Sequence, residues 1–325
     1  MKVNKRFLRD IEVSSVGYGC MGLSHGYGAL PERKQAISLI QHALDQGCTH
    51  FDTAEVYGNG HNETLVGEAL HPVRDKVVIA SKLYIDESRT DMSLEGQIRQ
   101  HLDASLERLN TDYIDIYYQH RVSQTVAVEE VAACMGKLIQ EGKIRGWGQS
   151  QATADQIKRA HAVTPLTAIQ SEYSLMERVF EEEVLPLCQA LNIGFVAFSP
   201  LASGFLSGKA QPQSQHAGDD VRRVITRFSD ENTARNQPLI DLIQTLAERK
   251  AATPAQISLA WMLCKWPFVT PIPGGRRVER INENMAADKV IFSPSEFKEF
   301  ENKLSQIKIY GNRTDEDIAK LKDNA

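Results

Sequence analysis

From Val16 onward the chain alternates between short apolar runs and longer stretches with helical periodicity, and this alternation limits the fold more than any other feature. The apolar runs are Val16–Cys20, the first half of Thr49–Gly58, Val77–Lys82, Tyr113–His120, Ile144–Gly148, Leu166–Gln170, Ile193–Phe198 and Phe268–Ile272. Between them, residues such as Ile37, Ile40, Ala43 and Leu44, or Ile98, Leu102, Leu106 and Leu109, recur at the spacing of one helix face. The helical stretches are a segment opened by Pro31, then Asn62–Leu70, Met92–Leu109, Val128–Gln140, Thr153–Ala162, Glu182–Leu191, Ala234–Lys250 and Pro254–Lys265. Gly47 and Gly142 sit where helices end, and Thr253 to Gln256 has the spacing of a capping box. Strict alternation implies a parallel sheet with right-handed crossovers. Eight such units in about 300 residues fit a closed (β/α)8 TIM barrel better than an open sheet. The competing open, doubly wound sheet carries a Gly-x-Gly-x-x-Gly turn after its first strand. Gly17–Gly22 satisfies that pattern, but its first glycine lies inside the expected strand.

The ends depart from the alternation. Val3 to Val13 reads as two short strands with a turn at Arg9–Asp10 and no helix between them, an N-terminal β-hairpin that could plug one barrel mouth. Val278–Ala287 and Pro294–Leu304 read as extra C-terminal helices. One domain over residues 1–325 is the expected organisation. A net charge of -5 gives no electrostatic reason to expect nucleic acid or an acidic membrane as a partner. The five cysteines are scattered without C-x-x-C spacing, which suits reduced thiols in a reducing compartment. Without an apolar leader or a membrane-length run, the expected location is the cytoplasm.

Three successive runs end in ionisable residues. Asp52 closes the second, Lys82 the third and His120 the fourth, with Tyr57 in the loop after Asp52. A buried carboxylate is costly without a cationic partner, and Lys82 is a candidate. Barrels of this kind build their sites at the C-terminal ends of the strands, so these groups are expected to share one site. A lysine beside a tyrosine favours the phenolate and is expected to lower its pKa. On residue type alone, either Tyr57 or His120 could serve as a proton donor.

These phrases resemble those of the aldo-keto reductases, and the likeness runs through nearly the whole chain. Its carriers are Phe51–Gly58, Phe198–Ser199–Pro200–Leu201, Ile272–Pro273–Gly274–Gly275–Arg276 and Arg280–Ile281–Asn282–Glu283–Asn284. Gln119–His120–Arg121 and Gln170–Ser174 are most similar to the bacterial and plant branch that reduces aldehydes. The resemblance implies a tetrad of Asp52, Tyr57, Lys82 and His120, with Tyr57 as the acid in carbonyl reduction by NADP(H) and no metal. It implies cofactor contacts from Ser150, Gln170, Tyr173, Ser199, Leu201, Gly204, Lys209, Gly274, Arg276, Arg280, Glu283 and Asn284. Within that set Tyr173 would stack on the nicotinamide, Arg276 and Arg280 would meet the 2′-phosphate, and Glu283 and Asn284 the adenine edge. Gln151 stands where the family has an asparagine. Ser203–Asp230 reads as a long polar loop able to fold over the cofactor. Met21, Leu23, Tyr27, Tyr84 and Arg121 are pocket candidates for a small-molecule carbonyl substrate, whose identity the sequence does not give. Two other functions fit the same barrel: a Schiff-base aldolase using Lys82 as nucleophile, and a cofactor-sensing regulatory subunit.

Overall fold

A computed structural model of the chain describes residues 4–314. β1 (Lys5–Leu8) and β2 (Ile11–Ser14) form an antiparallel hairpin. The following eight strands are β3 (Tyr18–Gly19), β4 (His50–Asp52), β5 (Val78–Leu83), β6 (Ile114–Gln119), β7 (Ile144–Ser150), β8 (Ala168–Glu172), β9 (Gly194–Phe198) and β10 (Val269–Pro271). They pair in parallel in chain order. The helices between them are α1 (Arg33–Asp45), α2 (His61–Leu70), α3 (Leu94–Leu109), α4 (Val128–Gln140), α5 (Ala154–Val163), α6 (Val184–Ala190), α7 (Asp230–Arg235), α8 (Gln237–Arg249) and α9 (Pro254–Lys265). α10 (Val278–Met285) and α11 (Pro294–Leu304) follow the last strand. This is the expected (β/α)8 architecture.

The sheet closes between its first and last strands. Gly17 N donates to Pro271 O at 2.9 Å and Gly19 N to Pro273 O at 3.3 Å. Glycine is required at this seam, because a Cβ on Gly19 would lie 2.6 Å from Ile272 O. On Gly17 it would lie 2.9 Å from both His50 Nδ1 and an Ile272 methyl. The Gly-x-Gly pattern is therefore explained by barrel closure, and the open-sheet alternative falls.

Strand periodicity divides the apolar residues into two cores. Phe51, Ile79, Tyr117, Trp147, Ile169, Phe195 and Val269 face outward, under the helices. Val78, Ala80, Ile116, Tyr118, Ala168, Val196 and Ile272 face inward and pack with Leu8, Ile11 and Val13 of the hairpin. The hairpin thus plugs the floor of the barrel, as expected. Gly194 leaves room for it, since a Cβ there would meet the Leu8 backbone at 2.6 Å.

Several boundaries differ from the sequence reading. The first barrel strand is shorter than Val16–Cys20. The first helix begins at Arg33, because Glu32 is an extended N-cap and Pro31 precedes it. Ala234–Lys250 is split into α7 and α8 at Asn236, with Pro238 in the first turn of α8. Within Ser203–Asp230 the chain forms short 3-10 turns, including Val221–Arg223 and Thr226–Phe228. This strap crosses to the loop after β3. Asp219 accepts from Gly26 N at 2.8 Å and Gly28 N at 3.0 Å, and Val221 N donates to Gly26 O at 3.0 Å. Val3, the expected start of the hairpin, lies outside the described residues. Cys20, Cys48, Cys134 and Cys188 are buried thiols and Cys264 is exposed. Among the described residues, no helix is long and apolar enough to cross a membrane.

Candidate active site

The inward parity that builds the lower core continues upward into the site. His50 and Asp52 alternate on β4, Ala80 and Lys82 on β5, and Tyr118 precedes His120 by two at the end of β6. The three ionisable residues converge at the C-terminal mouth. Lys82 is fully buried, and its Nζ donates to Asp52 Oδ1, to Thr53 O at 2.8 Å and to the Tyr57 hydroxyl at 3.4 Å. Asp52 Oδ2 accepts from Gln170 Nε2 at 2.7 Å. The carboxylate is therefore held from two sides. The rings of Tyr57 and His120 stand nearly perpendicular, 5.8 Å apart. The structure thus brings Asp52, Tyr57, Lys82 and His120 together.

Electrostatics differentiate these groups. Burial works against the charge on Lys82, but Asp52 and then Tyr57 outweigh it and hold the ammonium above the usual lysine range. Burial also pushes the Tyr57 phenol up, and the neighbouring Lys82 only partly offsets this. The lowered phenol expected from the sequence is corrected here: desolvation, which residue spacing does not report, exceeds the ammonium's pull. Burial, with Lys82 and Arg121 alongside, holds His120 well below the usual histidine range. Its ring is therefore neutral at neutral pH.

The expected cofactor residues divide. Ser150 is buried at the mouth and accepts from Arg121 Nη1 at 3.1 Å. Gln170 faces inward, with one amide hydrogen committed to Asp52. Gln151 adopts a left-handed backbone, φ 59°, and its side-chain oxygen accepts from Glu172 N. Tyr173 requires correction. It has outward parity and is fully buried against Phe195 and Trp261, with its hydroxyl bonded to Glu181 at 2.6 Å and to Trp266 Nε1. No face of it is open to a ligand. Phe198, which the sequence reading passed over as a site residue, has inward parity and stands partly exposed at the mouth. The guanidinium carbons of Arg313 and Arg121 lie 5.2 and 6.0 Å from its ring centre. Counting by two from Val196 was the signal that could have found it.

Ser199, Ala202, Ser203 and Gly204 have φ of 48°, 48°, 56° and 93°. Left-handed non-glycine residues are costly and cluster at functional sites. Successive turns of this kind build concavities suited to anions, and here Ala202 N and Gly204 N are engaged within the turn, donating to Ser199 O at 2.8 Å and Leu201 O at 2.9 Å. A Cβ on Gly204 would meet nothing within 4 Å, so the turn is open at that residue, while Ala202 and Ser203 are buried. Leu201 packs its side chain on the outer core and offers only backbone to the turn. Lys209 is exposed beyond the turn. Gly274 is exposed after the closing strand, facing Gly19 O across the seam.

Arg276 is employed differently from the expectation. It donates to Ala29 O at 2.7 Å and Tyr27 O at 2.8 Å, bracing the loop after β3. Arg280 pairs with Glu283 on the first turns of α10, so that carboxylate already has a partner. Asn284 is buried, donates to Gly274 O at 3.3 Å, and keeps its Oδ1 without a partner among the described residues. A left-handed turn open at Gly204, an aromatic face, an orphaned amide oxygen and an arginine at a helix start together fit a nucleotide cofactor.

A family model described as the Aldo/keto reductase family matches residues 15–305. The chain is 42% identical over 296 residues to a Glycine max protein named probable aldo-keto reductase 1, covering 90% of this chain and 85% of that one. It superposes on a glycerol dehydrogenase from Gluconobacter oxydans with a TM-score of 0.83 at 27% identity, over 94% of this chain and 97% of the other. An aldo-keto reductase from Klebsiella pneumoniae, solved in complex with NADPH, matches with a TM-score of 0.74 at 28% identity, over 97% and 99%. The chain belongs to the aldo/keto reductase family, a family of oxidoreductases.

Proposed function

We propose that this protein reduces aldehydes or ketones to alcohols with NADPH, with Tyr57 as the proton donor. The observation that carries the assignment is the contrast between Tyr57 and its neighbours. Tyr57 has a hydroxyl within 3.4 Å of a buried ammonium, whereas His120 is held neutral. A neutral imidazole can donate a hydrogen bond to a carbonyl oxygen and orient it, but it is a poor acid. Tyr57 hands its proton to that oxygen, and Lys82 steadies the phenolate left behind. Asp52, fixed by Gln170, keeps Lys82 charged and in place.

A nicotinamide cofactor held at this mouth would supply the hydride. On the chain's side, Phe198 presents an aromatic face, Ser150 a polar edge, and the turn from Ser199 to Gly204 a cradle for the pyrophosphate. Arg280 would hold the 2′-phosphate, and Asn284 Oδ1, buried without a partner among the described residues, would be an acceptor for the adenine edge. Arg276 serves as a brace for the neighbouring loop. The chain acts as a single-domain barrel enzyme in the cytoplasm.

A raised lysine pKa speaks against the Schiff-base alternative, which needs a neutral amine. Tyr57→Phe should lower turnover by at least about a hundredfold, while NADPH affinity stays near wild type. The assay is NADPH oxidation against a panel of aldehydes and ketones. Retained turnover in folded Tyr57→Phe would remove Tyr57 from its role, and no turnover by wild type across the panel would favour the regulatory-subunit reading.

A further inference from the structure

A histidine that must aim one ring nitrogen usually has its other nitrogen fixed by a hydrogen bond. His120 lacks that support. Its Nδ1 is buried and has no hydrogen-bond partner among the described residues. What bears on the imidazole instead is the ring of Tyr84, 4.5 Å away and tilted by only 30°. Tyr84 sits in the loop immediately after β5 and is 37% exposed, so packing from surrounding residues does not hold it alone.

Its backbone is held by a carboxylate from another loop. Glu55 Oε1 accepts from Tyr84 N at 2.8 Å, and Glu55 Oε2 meets His101 Nδ1 of α3 at 2.7 Å. Glu55 N donates to Lys82 O at 3.3 Å, so the residue is itself tied to the end of β5. One side chain thus joins the loop carrying Tyr57, the loop carrying Tyr84, and the helix behind them. Its own side chain is 11% exposed and that of His101 is 26% exposed, which limits competition from water.

We propose that Glu55, backed by His101, is a positioning residue for His120 and acts through Tyr84. The strut fixes the Tyr84 backbone, the Tyr84 ring lies along the imidazole, and the imidazole keeps the angle at which it meets a carbonyl oxygen. Glu55 itself touches no reacting atom. The proposal rests on the carbonyl-reductase reading for its kinetic consequence but not for its structural one.

The test has two arms. In the kinetic arm, kcat and KM for one aldehyde at saturating NADPH are measured for wild type, Glu55→Ala, Tyr84→Ala and the double variant. Misaiming a catalytic group by about 1 Å costs about a hundredfold at the upper end, so each single change should lower kcat by about ten- to a hundredfold. The double variant should be no worse than the weaker single, because both act through one ring. Glu55→Gln keeps an acceptor for Tyr84 N and should stay within about threefold of wild type. A full additional loss from Glu55→Ala in the Tyr84→Ala background, or wild-type kcat in Glu55→Ala, overturns the proposal. In the second arm, ring resonances of ¹³C-labelled histidine are assigned to His120 by comparison with His120→Asn. Glu55→Ala should move that signal and Glu55→Gln should leave it near its wild-type position. An unmoved signal in Glu55→Ala refutes the strut even if wild type reduces no carbonyl, an outcome that would sink the reductase reading separately.

Discussion

Lys82 and Asp52 form an ion pair with side chains only 1% and 3% exposed. Lys82→Met removes the cation and leaves the carboxylate with Gln170 as its remaining hydrogen-bond donor. Breaking one side of such a pair typically costs about 3–5 kcal/mol, because an uncompensated charge stays buried. Asp52→Asn exposes the complementary fault, an ammonium with Thr53 O as its main acceptor, and should cost a similar amount. Removing both charges eliminates the fault itself. The double variant should therefore be more stable than the sum of the singles by about 2–3 kcal/mol. Urea unfolding at constant slope reads this directly as shifts in midpoint. The pH dependence provides an internal check on the sign. In the wild type, Asp52 and Tyr57 hold the folded-state Lys82 above the usual lysine range, so the pair's contribution is present in full below pH of about 10.5 and is lost as pH rises through the folded value. Wild-type stability then falls above that pH, and the deficit of Lys82→Met should be smaller at pH of about 11 than at pH of about 8. Strict additivity in the cycle, or a deficit that does not change with pH, would refute a buried, mutually dependent pair.

Further outcomes test the remaining assignments. Arg280→Ala should weaken NADPH binding by about ten- to a hundredfold, from the loss of a charged hydrogen bond of about 1.5–3 kcal/mol, and leave NADH nearly unchanged. Equal losses for both cofactors would show that Arg280 does not read the 2′-phosphate. Phe198→Ala should weaken NADPH binding by roughly two- to tenfold, matching about 0.5–1.5 kcal/mol for an aromatic contact. Tyr173→Phe should leave binding unaltered, and the reverse ranking would restore Tyr173 to the site. Burial holds His50 at a pKa of about 4, against about 6.5 unfolded. Its neutral form therefore contributes stability in full above pH 6.5, and up to about 3 kcal/mol is lost as pH falls towards 4. His50→Gln should flatten this acid slope in urea midpoints, and an unchanged slope would assign the loss elsewhere.

The barrel was legible because alternation is a property of the whole chain, and an error in any one boundary does not disturb it. The tetrad was legible for a related reason: Asp52, Lys82 and His120 each stand at a strand end, where position along the strand already fixes direction. Tyr173 shows where a phrase misleads. It follows Gln170 closely, but an odd step turns its ring to the other side of the sheet. Phe198 obeyed the rule and was overlooked because an aromatic residue ending an apolar strand looks like core. Arg276 and Glu283 illustrate a different limit. Their residue types suit nucleotide contacts, yet sequence cannot reveal the carbonyls of Tyr27 and Ala29, or the arginine one helical turn back, that already engage them. The phenol's pKa was misjudged because desolvation belongs to the packed surroundings rather than to the neighbouring charge.

The glycine seam joining β3 to the strand that follows α9 has a kinetic consequence. It connects residues 17 and 19 with residues 271 and 273, so it closes a loop of nearly the whole barrel. Contacts of such long sequence separation must await the loop-closure entropy of everything between them. The cradle-side loops that begin at Met21 and Gly274 flank this seam, one on each strand. A chain still open there can hold a packed outer layer of helices while its nucleotide end remains divided in two. During refolding, recovery of NADPH fluorescence enhancement should therefore lag behind recovery of helical circular dichroism, with the delay timing the moment at which the last strand reaches the first.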